Sequence, residues 1–243
     1  MKYRILLLAL ACSGFASAAT YSYTNSWNVA VSQTIIGTTL NANASQGSLS
    51  STSVPYFDAS LLAPGETLAS VTITYSAPLS GYSPTITETV GSTTGSNTFT
   101  TLNASVNTKI DSPDLSSRLA GITSVFDFEA FSKASSHTFG AITVASGSPV
   151  SSNLTRTYSQ TQFTSTDGTA LAQFVGTGNF GFNVTSNVQA NYVRTAAVDD
   201  VIFGYSGVDS GLITVTYTTV PETSSALLGG LGMLALLRRR RSR

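Results

Sequence analysis

The amino-acid sequence predicts an all-β protein built as an antiparallel β-sandwich with short helical turns. Ser, Thr, Val, Tyr and Phe are abundant, and only 10% of the 243 residues are charged. Several segments alternate apolar and polar side chains, which is typical of strands with one buried face. Stretches of Ser, Gly, Asn and Pro separate these segments, as expected of turns between antiparallel strands. A signal peptide and a C-terminal hydrophobic helix are predicted to flank the sandwich.

Residues 1–19 have the pattern of a secretory signal peptide. Lys2 and Arg4 provide a positively charged start, residues 5–11 form an apolar core, and residues 16–18 are the small residues of a cleavage site. The mature chain is therefore expected to begin at position 19 or 20. In an alternative interpretation, Cys12 is the acylated cysteine of a lipoprotein signal.

The exported part has a different composition from the whole chain. Cys12 is the only cysteine, so no disulfide is predicted. Seven of the 12 basic residues and one of the 12 acidic residues lie in the two end segments, which leaves five basic and 11 acidic residues and a net charge of about −6. A surface this acidic argues against nucleic acid and anionic lipid as partners.

Residues 20–219 are predicted to form one domain. Four segments within it place three apolar side chains on one face and mainly Thr, Ser or Asn between them. The predicted inward residues are Trp27, Val29, Val31, Val71, Ile73, Tyr75, Phe180, Phe182, Val184, Ile213, Val215 and Tyr217. The last of these strands is predicted to span residues 212–219 and to end before Pro221, which has no backbone donor.

Signals for helices and loops are few. Ser112 is expected to cap a helix that has Pro113 at its first position and ends at Gly121. A second helical turn is predicted around residues 167–174. Residues 40–53, which are rich in Ser, Asn and Gly, are predicted to form a mobile surface loop.

No arrangement of residues predicts catalysis. His137 is the only histidine, and the chain contains no Gly-x-Ser-x-Gly motif. The carboxylate pairs considered for glycoside hydrolysis are Asp127 with Glu129 and Asp199 with Asp200. The first pair is expected on a solvated strand face, opposite two phenylalanines. The sequence therefore predicts no enzyme activity and no catalytic residue.

The residue types would allow two binding sites, one for calcium and one for a sugar, but the sequence predicts neither. Calcium ligands could come from the acidic residues Asp199, Asp200 and Asp209, placed on either side of one expected hairpin, or from Asp111 with Asp114. Neither set has the spacing of a known calcium loop, so we predict solvated turn carboxylates, no metal and no cofactor. A sugar-stacking platform could use Tyr21, Tyr23 and Trp27, but aromatic residues on one strand face are typical of a core.

The C-terminal segment, residues 220–243, has three parts. Val220, Pro221 and Glu222 begin it, an apolar run of Ala, Leu, Gly and Met occupies residues 226–237, and the basic cluster follows. That cluster contains Arg238, Arg239, Arg240 and Arg241. The run suits a bilayer, and the arginines are expected to stay cytoplasmic. As a helix, residues 224–237 span about 21 Å, less than the roughly 30 Å of hydrocarbon, which favours a temporary anchor.

This tail resembles the PEP-CTERM sorting signal, in which a Pro-Glu-Pro motif, a hydrophobic helix and an Arg cluster end the chain. The chain departs from that motif at Thr223, where the family has its second proline. The resemblance implies recognition by an exosortase, a membrane-embedded, cysteine transpeptidase-like enzyme of Gram-negative bacteria that make extracellular polysaccharide. An ordinary C-terminal membrane anchor is the alternative.

The domain itself carries a second resemblance. Its residues 54–58 (Val-Pro-Tyr-Phe-Asp), 68–73 (Leu-Ala-Ser-Val-Thr-Ile) and 174–178 (Phe-Val-Gly-Thr-Gly) are similar to the choice-of-anchor E domain, a family of secreted bacterial β domains that precede different sorting tails. The link at residues 58–65 is longer than the family's usual one. The family has no established catalytic residues, so the resemblance implies none here.

Two functions follow as hypotheses. The first is an exported structural protein of the cell surface or extracellular matrix, which passes through an inner-membrane intermediate and has the export machinery, an exosortase and the membrane as partners. The second is a surface carbohydrate-binding module, with or without calcium, whose partner is extracellular polysaccharide. Neither function involves nucleic acid.

Overall fold

The computed structural model of the protein describes residues 18–39, 41–76, 85–122, 132–155, 160–195 and 199–221. Within these ranges the chain forms eleven strands and two short α-helices. The strands are β1 (Thr20–Gly37), β2 (Asn41–Pro55), β3 (Glu66–Ser76), β4 (Thr85–Ser92), β5 (Ser96–Asp111), β6 (Ser132–Thr138), β7 (Ile142–Ala145), β8 (Val150–Thr155), β9 (Thr161–Ser165), β10 (Asn179–Arg194) and β11 (Val201–Pro221). The predicted signal peptide up to residue 17 and the tail from residue 222 lie outside the described residues.

All of these strands pair antiparallel, in two sheets. Sheet A has the order β8-β4-β11-β3-β9, with β1 also paired to β11. Sheet B has the order β2-β10-β5-β6, with β7 also paired to β5. The predicted all-β, antiparallel architecture is confirmed, and its two sheets are consistent with the predicted sandwich.

Strand β11 organises sheet A. Along one edge it pairs with the whole of β1. The other edge is shared, because residues 201–207 pair with β4 and residues 212–221 pair with β3. The predicted last strand, residues 212–219, is therefore too short at both ends. It runs through Pro221, which is paired with Glu66, because a proline at the final position of a strand removes no further ladder bond.

The alternating segments point inward as predicted. All twelve predicted inward residues are buried, with Trp27 the most exposed of them at 3%. Aromatic rings make many of the contacts between the sheets: Tyr75 of β3 meets Phe182 of β10 edge to face, with ring centroids 6.3 Å apart. Side chains of successive strands on one face of each sheet thus form the core.

The two predicted helical turns are confirmed. Helix α1 (Pro113–Arg118) begins after Ser112, whose hydroxyl accepts a hydrogen bond from the Leu115 N–H at 3.4 Å. It is followed by Gly121, which has a positive φ of 84°. Helix α2 (Gly168–Gln173) begins after Asp167, whose carboxylate accepts the Ala170 N–H at 2.9 Å.

The predicted loop at residues 40–53 is wrong, because residues 41–55 form β2. This edge strand pairs with β10 along its whole length. Side chains of β1 also reach it: the Asn25 amide donates to the Ser53 carbonyl at 2.9 Å, and the Gln33 amide donates to the Ser48 hydroxyl at 2.9 Å. Of the described side chains in β2, Val54 alone is fully buried, so the strand has no hydrophobic alternation that a sequence could reveal.

Candidate functional site

The outer face of sheet A carries rows of hydroxyl groups, and we call it the hydroxyl face. Because alternate residues of a strand point to the same side, the register of the ladders aligns them across four strands. One row contains Ser22, Thr216, Thr72 and Thr164, and the next contains Thr24, Thr214, Thr74 and Gln162. On the other half of the sheet, Ser32, Ser206, Thr87 and Asn153 form a third row.

Hydrogen bonds between neighbouring strands fix many of these side chains. The hydroxyls of Ser22 and Thr216 lie 3.0 Å apart, and those of Thr72 and Thr164 lie 3.0 Å apart. On the other half, the Thr87 hydroxyl donates to the Asn153 side-chain carbonyl at 3.0 Å. The hydroxyl face is thus an ordered array, with a spacing of about 4.8 Å between strands and about 6.7 Å along each strand.

The hydroxyl face is neutral along its three rows. None of the residues in its three rows is charged or aromatic. Their hydroxyls bond to one another, and no row contains a histidine or carboxylate that would activate a Ser or Thr as a nucleophile. The face presents hydrogen-bond donors and acceptors that carry no charge. Sequence reasoning missed it because the alignment of the rows depends on strand register.

The inner face of sheet A contains a buried acid, Glu88 of β4. Its side chain is fully buried, and neither carboxyl oxygen has a hydrogen-bond partner among the described residues. Tyr205, its neighbour across the ladder, instead donates its hydroxyl proton to the Gln189 carbonyl at 2.9 Å. Burial raises the pKa of the Glu88 carboxyl to about 7, an effect that the nearby Tyr205 hydroxyl partly offsets. Because it is closed off from solvent, this acid cannot reach a polymeric substrate.

The Asp209 carboxylate links the two sheets inside the core. Asp209 is fully buried on β11, where it accepts hydrogen bonds from the hydroxyls of Ser186 at 2.7 Å and Thr108. These two hydroxyls belong to β10 and β5 of sheet B. The prediction that Asp209 is a solvated turn carboxylate next to Asp199 and Asp200 is wrong. No hairpin lies between them, because one continuous strand separates Asp200 from Asp209 by about 30 Å.

Asp199 instead belongs to a cluster around Arg194, the last residue of β10. Arg194 is 4% exposed and donates to the Asn97 side chain at 2.8 Å, to the Thr39 carbonyl at 3.0 Å and to the Asp199 carbonyl. The Asp199 carboxylate accepts from the Thr94 hydroxyl. Carbonyl oxygens therefore satisfy a buried guanidinium, and this role is structural.

The remaining acidic candidates have structural roles or lie outside the described residues. Asp114 accepts the backbone N–H of Gly181 at 2.8 Å and joins helix α1 to β10. Asp111 ends β5. In the described part of the chain, no group of three or more His, Cys, Asp or Glu side chains lies close enough to hold a metal ion. Asp127 and Glu129 lie outside that part.

The histidine and aromatic candidates pack against neighbouring rings. His137 lies on β6, as predicted for a strand residue, with its ring 4.6 Å from that of Phe139. Tyr21 meets Phe57 edge to face, with ring centroids 5.7 Å apart, and Trp27 is 3% exposed. The prediction of a core position is confirmed for Trp27, whereas Tyr21 and Tyr23 are half-buried and pack against the core cluster that contains it.

The predicted sorting tail begins at the C-terminal end of β11, an internal strand of sheet A. Val220 is 37% exposed and is paired with Thr67. Just before it, the Thr219 N–H donates to the Ala19 carbonyl at 2.8 Å. Glu222 and the arginines 238–241 lie outside the described residues. Of the helices that are described, none has the length and hydrophobicity needed to cross a bilayer.

Comparison with known proteins gives structural likenesses only. No protein-family model matches the chain, and no curated protein matches it. A structure of the infectious bursal disease virus Gx strain is similar with a TM-score of 0.21 and 10% identity, over 86% of this chain and 44% of the viral one. The chain thus spans less than half of that viral chain.

Two carbohydrate-binding modules are also similar. The family 11 module from Clostridium thermocellum, in complex with a β-1,3-1,4-mixed-linked tetrasaccharide, has a TM-score of 0.16 and 13% identity over 86% of this chain and 91% of the module. TmCBM61, in complex with β-1,4-galactotriose, has a TM-score of 0.13 and 7% identity over 83% of this chain and 92% of that one. TM-scores this low support no argument about function.

Proposed function

We propose that the protein is an exported structural protein of a Gram-negative cell surface or extracellular matrix, sorted by an exosortase through its C-terminal tail. The observation that supports this most is the proximity of the two ends of the domain. Ala19, one of the two predicted first residues of the mature chain, is hydrogen-bonded to Thr219, the last residue before the predicted sorting motif. Both membrane-directed segments therefore leave the domain at one place.

This arrangement suits a domain that is held at a membrane by either end. In a domain with its termini at opposite ends, one of the two membrane-directed segments would have to run the length of a strand to reach the bilayer. Strand β1 is about 60 Å long. The row that contains Ser32 therefore lies far from Ala19, where the chain would be attached to the membrane. The domain then presents its sheet faces to the exterior.

Replacing the four arginines Arg238 to Arg241 with Gln tests this proposal. Without them, the tail is expected to slip through the membrane, so that unprocessed protein is released. The measurement is the fraction of protein in the medium, together with the mass of its C-terminus. Lys109→Gln, which changes a basic residue of the domain and leaves both end segments intact, is the control. Membrane retention and processing at the level of the unaltered protein would contradict the proposal.

The hydroxyl face favours a second function, binding of extracellular polysaccharide. Rows of fixed, uncharged hydroxyl groups match the hydroxyl groups of a neutral glycan better than they match an anionic polymer, since no row contains a cation. The affinity for each sugar unit is expected to be weak. Because the rows repeat across the sheet, one polymer can contact several rows at once, and the overall affinity increases.

Affinity electrophoresis of the exported protein in gels that contain mixed-linkage β-glucan or alginate tests this function. The unaltered protein is expected to be retarded by the neutral glucan alone. Thr72→Lys combined with Thr216→Lys should abolish the retardation, whereas Asn187→Lys, on the exposed face of sheet B, should not. Equal retardation of both variants, each measured relative to its mobility in a gel without polysaccharide, would exclude the hydroxyl face as the binding site. Loss of retardation in chelator would favour the calcium-assisted form of this function.

A further inference from the structure

Strand β2 forms one edge of sheet B and is long for an edge strand. It has 15 residues, whereas the edge strands on the other side of the two sheets, β6, β7, β8 and β9, have between 4 and 7. None of the 15 residues is charged, and the only proline is the last residue, Pro55. Proteins commonly protect an edge by a short strand, a lysine or an internal proline. Strand β2 has none of these three protections.

The backbone groups on the unpaired side of β2 belong to its odd-numbered residues. The Ser53 carbonyl accepts the Asn25 amide at 2.9 Å, and the Gly47 carbonyl accepts the Gln33 amide at 3.4 Å, so both carbonyls point away from β10. Because backbone groups alternate along a strand, Leu49 directs its N–H and C=O to the same side. Strand β1 contributes these two side chains but no ladder, since β10 is the only described strand that pairs with β2.

Leu49 lies near the middle of this edge. Its side chain is 68% exposed, the highest value among the exposed large hydrophobic residues of the described part of the chain. Ser51, two positions along the same side of the strand, is also exposed. An exposed leucine on an unpaired edge offers a partner strand an apolar contact together with backbone hydrogen bonds.

We propose that β2 pairs with β2 of a second copy of this chain, antiparallel and around a two-fold axis at Leu49. In this register, Leu49 meets Leu49 of the second copy, and Ser51 faces its Gly47. The two Leu49 residues exchange both backbone hydrogen bonds, with their Cα atoms about 5.5 Å apart. Their side chains then lie next to each other across the strand pair and are removed from water.

The absence of charge favours a second copy over a partner of another kind. An uncharged strand does not attract an acidic or a basic segment. Between residues 20 and 219 acidic residues outnumber basic ones, so two copies repel each other least where their contact carries no charge. A two-fold contact uses the same patch on both molecules, and antiparallel pairing of one strand with itself meets that condition. The Gly47 and Ser53 carbonyls each have a second lone pair for the new bonds.

The dimer has one continuous sheet B that runs through two copies and leaves the hydroxyl face of sheet A uncovered on each. One pair of strands buries less surface than a standard interface, so the dimer is expected to be weak and to form as the concentration rises. This pairing is independent of the proposed export and of the proposed glycan binding.

Disulfide trapping in the full-length chain tests the register. Cys12→Ser leaves no other cysteine in the chain. In that background, Leu49→Cys is expected to give a disulfide-linked dimer on mild oxidation, because a Cα separation of about 5.5 Å suits a disulfide. Ser51→Cys is the matched control, since it is exposed on the same strand but lies four positions, or about 13 Å, from its own copy.

The measurement is the rate at which the linked dimer appears. Leu49→Cys should cross-link at least about tenfold faster than Ser51→Cys, because the paired strands hold only the first pair of sulfurs within bonding distance. Equal rates would overturn the proposal, since random collisions link any exposed thiol.

A change of charge tests the same edge without a cross-link. Leu49→Lys places two cations opposite each other at the two-fold axis, which destabilises a strand pair. Light scattering of the full-length protein in mild detergent, which shields the apolar residues 226–237, gives the mass over a series of concentrations. The unaltered protein should approach the mass of two chains, and Leu49→Lys should keep that of one.

Val208→Lys, at a valine that is 46% exposed on sheet A, is the control and should dimerise like the unaltered protein. A single-chain mass for the unaltered protein at every concentration would overturn the proposal. So would a dimer that persists in Leu49→Lys, or an equal loss in both lysine variants.

Discussion

The two faces of sheet A are made by the same strands and have opposite chemistry. The inner face contains Ile73, Val215 and Tyr217, which are fully buried, whereas the outer face carries neutral hydroxyl rows. Soluble proteins commonly place charged residues on their exposed surfaces. The fold requires only the buried apolar side chains of the inner face. The absence of charged residues from the three outer rows is therefore not a requirement of the fold. The outer rows expose neutral hydrogen-bonding groups, while the inner face accounts for stability.

The largest contrast between the faces is expected from neighbouring residues of β11. Tyr217→Ala removes a buried ring whose hydroxyl donates to the Pro55 carbonyl at 2.9 Å and whose centroid lies 5.3 Å from that of Phe57. This variant should lower the free energy of unfolding by about 3 to 5 kcal/mol. Thr216→Ala, on the outer face, should change it by less than about 0.5 kcal/mol. Urea denaturation measures both, and similar losses would mean that the outer face also supports the fold.

The buried residues of the inner face could be predicted from the sequence. The hydroxyl rows of the outer face could not. Alternation around Val29, Ile73 and Phe182 was visible because both sheets bury these positions. The outer threonines also alternate, yet their alignment into rows depends on the pairing of strands far apart in the chain. Chain position does not determine that register, since strand β1 pairs with the last strand.

Two buried acids were missed although the sequence contains a signal for them. Glu88 alternates in phase with Ile86 and Val90, which are buried, so its side chain shares their inward direction. Asp209 lies four positions before the buried Ile213 on the same strand, an even spacing that places both on one face. Asp209 was predicted to be a solvated turn carboxylate, and Glu88 was not singled out at all, because acidic residues are rarely buried. The phase of the alternation predicts the burial of these two acids better than the general rarity of buried acids does.

Glu88 should make the stability of the inner face depend on pH. Its pKa in the folded protein, about 7, lies above the ordinary value of about 4.5, so the folded state holds the proton more tightly than the unfolded state does. The stabilisation is complete below about pH 4.5 and is lost as pH rises to about 7, for a total of about 3 kcal/mol. Glu88→Gln removes this dependence, because the amide does not ionise.

Urea melts of the unaltered protein and Glu88→Gln between pH 4 and pH 8 measure this effect. The free energies of the two proteins should diverge as pH rises, with Glu88→Gln the more stable at pH 8. Asp58→Asn is the control, because Asp58 is an exposed acid and hydrogen bonding to Ser60 lowers its pKa. A decline between pH 5 and pH 7 that persists in Glu88→Gln would assign the pH dependence to another group.

The smallest expected effect comes from the same substitution, Thr→Val, made on each side of the molecule. Valine keeps the β-branched shape that strands favour, so the change removes little more than a hydroxyl.

Thr108 is fully buried and donates to the Asp209 carboxylate. Thr108→Val leaves the buried Asp209 side chain with one donor fewer and should cost about 2 kcal/mol. On the hydroxyl face, Thr24 lies 2.9 Å from the Thr214 hydroxyl, where water replaces the lost bond. Thr24→Val should therefore change the free energy of unfolding by less than about 0.5 kcal/mol. Urea midpoints at pH 7 decide the matter, and a cost at Thr24 equal to that at Thr108 would show that the hydroxyl rows hold the sheet together.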